Sequence, residues 1–126
     1  MTRGRHERLR ALVQRKLRLA NQPYYLDIIE VLHQYPPHYK CHRSVVIEGV
    51  QRLRTQRGQT VPPSIESTVQ RSVQDCCSEA AGFDKGTEWD FFNFAEDKGS
   101  GYWTLNVGIV EDFLNALPGA SKLEDF

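Results

Sequence analysis

Between residues 3 and 20, Leu9, Leu12, Val13, Lys16 and Ala20 recur at helical spacing, and Leu17 and Leu19 widen the stripe. Arg3, Arg8, Arg10, Arg15 and Arg18 take much of the remaining surface, so the pattern predicts an amphipathic basic helix. Asn21-Gln22-Pro23 interrupts it. Tyr25, Ile28, Ile29 and Leu32 then repeat at i, i+3, i+4 and i+7, which predicts a second helix over residues 23–35. Pro23 suits its first turn, and Pro36-Pro37 stops it. Ser44 is the expected N-cap of a third helix over residues 45–57, burying Val46, Ile47, Val50 and Leu53. Gly58 is the expected stop. Gln59-Thr60-Val61 reads as a short extended segment. A fourth helix opens at Pro62-Pro63-Ser64, lines up Ile65, Val69, Val73 or Ser72, Cys76 and Ala80, and ends at Gly82.

After Gly82 the period falls from 3.6 to 2. Phe92 and Phe94, then Trp103, Leu105 and Val107, alternate with polar residues, which predicts a hairpin near residues 91–107. Val110, Phe113, Leu114 and Leu117 form a last short helix before Pro118-Gly119. Three helices followed by a two-stranded hairpin is the order of a winged helix-turn-helix. The expected fold is therefore α+β, mainly helical: a basic N-terminal helix in residues 1–22, a winged helix-turn-helix over residues 23–117, and a tail in residues 118–126. The fourth helix is then the recognition helix and residues 95–101 the wing tip. Winged domains also serve as protein-docking modules, so the order alone does not choose a partner.

Composition narrows the class. The 126 residues are 40% hydrophobic and 25% charged, which suits one globular domain and excludes a collagen-like repeat or a disordered tail. No apolar run is long enough to span a bilayer, so no membrane partner is expected. No apolar stretch follows the N-terminal charges, as a secretory signal requires. Three cysteines, two of them adjacent, cannot make a paired framework and fit a reducing cytoplasm. The net charge is zero but unevenly spread. Residues 1–20 hold seven basic side chains against Glu7 alone, whereas residues 75–126 hold eleven acidic against three basic. A basic front is an electrostatic footprint for nucleic acid, or a solvated helix that pairs with the acidic half.

Residue types on the fourth helix sharpen the choice. Gln70, Arg71 and Gln74 carry side chains able to contact base edges, and Ser64, Ser67 and Thr68 can bond phosphate near a helix N-terminus. The same residues also make an ordinary polar surface. Phosphate neutralisation then depends on Arg43, Arg52, Arg54 and Arg57, with Arg54 and Arg57 at the turn into the fourth helix, where they could equally serve the helix dipole. In the wing, Glu96 and Asp97 repel phosphates and Lys98 attracts them, which argues against insertion into a groove. His38, Cys41 and His42 lack a second cluster to complete a metal site. No nucleophile, phosphate loop or paired acid and base stands out, so neither catalysis nor a cofactor is expected. Cys76-Cys77 reads as one core cysteine beside a partly exposed one. Trp89, Phe91, Phe92, Tyr102 and Trp103 crowd one region, as core packing or as a surface receptive to a base methyl group.

The stretch Pro63-Ser64-Ile65-Glu66-Ser67-Thr68-Val69-Gln70, then Phe91-Phe92, then Gly99-Ser100-Gly101-Tyr102-Trp103-Thr104-Leu105 resembles winged-helix domains attached to bacterial restriction endonucleases, which are related to the HARE-type helix-turn-helix group. The likeness covers about residues 23–107. It implies a module that binds double-stranded DNA through Ser64, Glu66, Ser67, Gln70 and Arg71, and in some members senses a methylated base for a fused or partner nuclease. The expected function is duplex DNA binding, with modified-base recognition as its finer form. The expected contact set is Ser64, Glu66, Ser67, Gln70, Arg71, Gln74, Arg54, Arg57 and Lys98. The alternative is a protein-interaction or homodimerisation module docking through the basic helix.

Overall fold

The change of period after the fourth helix is reproduced in space: helices give way to a hairpin, and one further helix follows it. The computed structural model describes residues 4–17, 22–36, 38–77, 90–94 and 101–117. The elements run α1 (Arg5–Lys16), α2 (Tyr24–Leu32), β1 (Lys40–His42), α3 (Arg43–Gln56), α4 (Ile65–Asp75), β2 (Phe92–Phe94), β3 (Tyr102–Leu105) and α5 (Val107–Ala116). The architecture is α+β and mainly helical, with one small antiparallel sheet in the order β1-β3-β2, and is compatible with a winged helix. Expectations for Arg3, Arg18, Ala80, Gly82, Trp89, the wing tip with Glu96, Asp97 and Lys98, and Pro118-Gly119 fall outside the described residues. Among the described residues no helix is long and apolar enough to cross a membrane.

α2 is shorter than its periodicity suggests, and Pro23 sits at its N-cap rather than inside its first turn. It is buried nearly all round, packing against both α3 and α4, and the run Leu26 to Leu32 is buried without a break. The approach to α3 is close because Gly49 faces Val31. The chain leaves α2 by a turn in which Tyr39 takes a left-handed conformation, φ 51°, and enters β1. Its ring is buried, and that burial offsets the backbone cost of such a conformation.

β1 corrects the sequence reading. The extended segment lies at Lys40–His42, before α3, and residues 59–61 form no strand. The N-cap of α3 is therefore His42, whose Nδ1 accepts from the Ser44 backbone N–H at 3.2 Å. Gly58 does end α3, with φ 77°. Its N–H donates to Thr55 O at 3.0 Å, and Gln59 N–H donates to Arg54 O at 2.8 Å, the paired bonds of a Schellman stop.

In the sheet, Cys41, Trp103 and Phe94 lie in one row, with Phe92 opposite Leu105. Trp103 and Leu105 face inward while Tyr102 and Thr104 face out, the alternation a half-buried strand requires. Phe91 joins the layers: its ring stacks on Tyr25 of α2 at 5.5 Å and meets Phe113 of α5 edge-on at 4.9 Å. Phe91, Phe92 and Trp103 are thus core material rather than an exposed aromatic surface. Cys41, Cys76 and Cys77 are in no disulfide and all buried, so neither of the adjacent pair is the partly exposed neighbour expected. Burial pushes the Cys41 thiol up to about 11, and it remains a neutral, apolar-like side chain.

α1 is no loose appendage. Leu9, Leu12, Val13 and Leu17 are buried in the common core, and α1 packs against α5. Lys16 Nζ donates to Leu117 O at 2.5 Å, and Arg8 Nε lies 4.0 Å from Glu111 Oε2.

Candidate nucleic-acid interface

α4 is helical on one apolar stripe and polar elsewhere. Ile65, Val69 and Val73 stand four residues apart, all buried, and hold the helix to the core. Glu66, Ser67, Arg71, Gln74 and Asp75 are exposed on the other side, with Gln70 half-buried at the edge. Ser64 is the N-cap without a side-chain capping bond. Ser67 Oγ donates to Ser64 O at 3.1 Å, and Ser72 Oγ donates to Thr68 O at 3.0 Å. The amides of Gln70 and Gln74 and the Arg71 guanidinium make no hydrogen bond or ion pair among the described residues. Six of the nine expected contact residues, Ser64, Glu66, Ser67, Gln70, Arg71 and Gln74, therefore sit together on one helix.

Beside that face runs a shallow depression of about 240 Å³, in which Gln70 and Gln74 meet Arg43, Phe94, Gly101 and Trp103. Arg43 starts α3, and its backbone N–H donates to Gly101 O at 2.7 Å, tying the helix to the hairpin. Gly101 is at φ 87°, and a Cβ there would stand 2.8 Å from His42 Nε2, so only glycine fits. The Arg43 guanidinium is exposed and forms no ion pair among the described residues. Lys40, on the adjoining strand, holds its Nζ 5.3 Å from the Tyr102 ring centre. Arg43 is the cation that lines the depression, while Arg71 lies on α4 with Glu66 and Asp75, and Lys40 on β1.

Arg54 and Arg57 do something else. Arg54 is buried, with its Nε 2.8 Å from Asp27 Oδ2. That contact is ionic rather than an aligned hydrogen bond, since neither atom completes one. Arg54 NH2 donates to Gln22 O at 3.0 Å, and its guanidinium lies 3.6 Å over the Tyr24 ring. Arg57 reaches Asp27 Oδ1 at 2.7 Å and Glu30 Oε1 at 3.1 Å. Gln22 Nε2 donates to both carboxylates, at 2.6 and 2.7 Å. The two arginines cross-link α2 to α3 in a desolvated network and do not offer their charge to a phosphate. The expectation for them fails because their acidic partners lie about one helix away in sequence.

Arg43 was within reach of sequence reasoning as a cation, but not as a member of this group. Its place depends on β1, whose three residues are too few to show a period. Among the described residues no group of three or more His, Cys, Asp or Glu could hold a metal ion, and His42 is spent on capping. Comparison with protein-family models, curated proteins and solved structures returned no match.

Proposed function

We propose that this chain is a winged helix-turn-helix module that binds duplex DNA, with α4 in the major groove and the start of α3 and the hairpin against the backbone. The observation that carries the reading is the α4 face. Gln70, Arg71 and Gln74 present unspent donors and acceptors beside the unpaired Arg43, and these are the side-chain types that bond base edges and phosphates. The element order and the strand order β1-β3-β2 support it. Arg43 and Lys40 replace Arg54 and Arg57 as the cations on that side. The exposed Arg10 and Arg15 of α1 add sequence-independent attraction.

A second reading, a protein-docking winged helix, draws on the Arg8–Glu111 contact and on Glu66 and Asp75 at either end of α4. One experiment separates them. Affinity for unmodified, adenine-methylated and cytosine-methylated duplexes is measured at two salt concentrations, for the parent chain and for Arg43→Ala, Arg71→Ala and Gln70→Ala. DNA binding predicts affinity that falls steeply with salt and a loss of about 1–3 kcal/mol for Arg71→Ala when its contact is bidentate to guanine. Folding should hardly change, because Arg71 is exposed. Unchanged affinity in all three variants overturns the α4 assignment, and a preference for one methylated duplex would supply the finer function.

A further inference from the structure

α1 faces the C-terminal ends of α2 and α3 across a cleft of about 530 Å³ lined by residues of all three. α4 contributes no residue to it, so it is separate from the α4 face, although Arg10 of the basic helix borders it. Three observations bear on what it holds. His6 lines the cleft, and its Nδ1, itself buried, has no hydrogen-bond partner among the described residues. His33 is 8% exposed, and its Nδ1 meets Glu30 O at 2.5 Å, a contact that leaves Nε2 as the nitrogen free for a ligand. Charge is the third. Glu30 and Arg57 neutralise one another across 3.1 Å, whereas Arg10 is exposed at the mouth and has no ion pair among the described residues.

The cleft therefore combines one unspent guanidinium, two imidazoles and an apolar wall of Val13 and Leu53. Its volume exceeds that of an inorganic ion and suits a small organic molecule. We propose that this cleft binds a small organic anion, a phosphate ester or carboxylate, seated on Arg10 between His6 and His33 with its apolar body against Val13 and Leu53. The guanidinium takes the anionic oxygens in a forked, charge-assisted pair.

The charged and titratable groups that line the cleft with His33 are His6 and Arg10 from α1, Glu30 from α2 and Arg57 just after α3. Burial lowers the His33 pKa from 6.5, and the positive charges of His6 and Arg10 lower it further, against the raising effect of its bond to the Glu30 carbonyl. A bound anion cancels part of that positive field and favours the imidazolium. By linkage, the anion binds more tightly as pH falls through the His33 range.

The test follows the His6 and His33 ring signals by nuclear magnetic resonance in the full chain. The probes are inorganic phosphate, adenosine monophosphate and benzoate, each at about pH 5.5 and about pH 7.5, on either side of the ordinary histidine range. Saturable shifts of both rings with adenosine monophosphate or benzoate, tighter at the lower pH, are expected. Arg10→Gln should weaken binding about ten-fold or more, as loss of a charge-assisted bond does, while Arg15→Gln on the same helix leaves it unchanged. Arg10 is exposed, so the thermal midpoint of Arg10→Gln reports whether the fold survives. The absence of saturable shifts overturns the proposal, as does equal weakening by Arg15→Gln. Shifts produced by a short DNA duplex but by none of the small probes would also overturn it and assign the cleft to the nucleic-acid surface.

Discussion

Replacing Asp27 by asparagine tests whether the arginines at the end of α3 are structural. Asp27 is fully buried, and its two oxygens sit 2.7 Å from Arg57 and 2.8 Å from Arg54. The amide keeps the shape and loses the charge, so two guanidiniums remain with Glu30 alone. Removing one partner of a buried pair costs about 3–5 kcal/mol, because the remaining charge stays desolvated. The lower end applies here, since Arg57 keeps Glu30 and Arg54 keeps the Tyr24 ring and Gln22 O. A loss of about 3 kcal/mol is a large part of the roughly 5–15 kcal/mol typical of a domain. For a chain of this size it lowers the thermal midpoint by about 10 °C. Urea unfolding followed by circular dichroism reads it directly. Arg52→Ala is the control, because Arg52 and Glu48 form an exposed i,i+4 pair at 3.5 Å worth no more than about 0.5 kcal/mol. A loss below about 1 kcal/mol for Asp27→Asn would mean that water reaches the α2–α3 seam, and the phosphate role for Arg54 and Arg57 would reopen.

Gly49→Ala places a Cβ 2.8 and 2.9 Å from the two methyl carbons of the buried Val31, so a cost of about 1–3 kcal/mol is expected despite the better helix propensity of alanine. Adding Val31→Ala should recover part of the urea midpoint, and a stabilised single variant would show that α2 and α3 can part freely. Because the folded His33 pKa is lowered, the unfolded chain takes up its proton first as pH falls. Its contribution is complete above pH 6.5 and is lost as pH falls through the folded value, so His33→Gln should flatten the midpoint between about pH 7.5 and about pH 5.5. An equally steep decline in the variant would refute that assignment.

Where an element's identity rests on its own residues, it could be read in advance. The Ile65, Val69, Val73 and Cys76 stripe, the alternation of Trp103 and Leu105 with polar neighbours, and the Gly58 stop all depend on local spacing or a single conformational demand. β1 could not be read so. It is a strand because it pairs with β3, about sixty residues further on, and its three residues show no period of their own. The missing strand also displaced the α3 cap from His42 to Ser44 and hid the link between Arg43 and the hairpin. The charges of α3 misled for a related reason. Helical spacing gives the side on which Arg54 and Arg57 project, but only packing reveals that Asp27 and Glu30 wait on that side. The sequence reading set α1 outside the domain over residues 23–117, while Leu9, Leu12, Val13 and Leu17 tie it into the common core. Deleting residues 1–20 would therefore strip apolar burial along with charge, and substitution of exposed arginines is the cleaner way to weigh its electrostatics.

β1 passes into α3 with no residue between them, β1 is zipped to β3, and the Arg43 N–H is fastened to Gly101 O at 2.7 Å. The first turn of α3 and the root of the hairpin are consequently one rigid bracket. A partner that touches both meets a caliper of fixed gauge rather than two fingers that adjust. The ordering cost of that geometry falls on folding and not on association, which leaves more of each contact's energy for affinity. The first turn of α3 is thereby placed by β3, so a change in the strand pairing carries the Arg43 backbone with it.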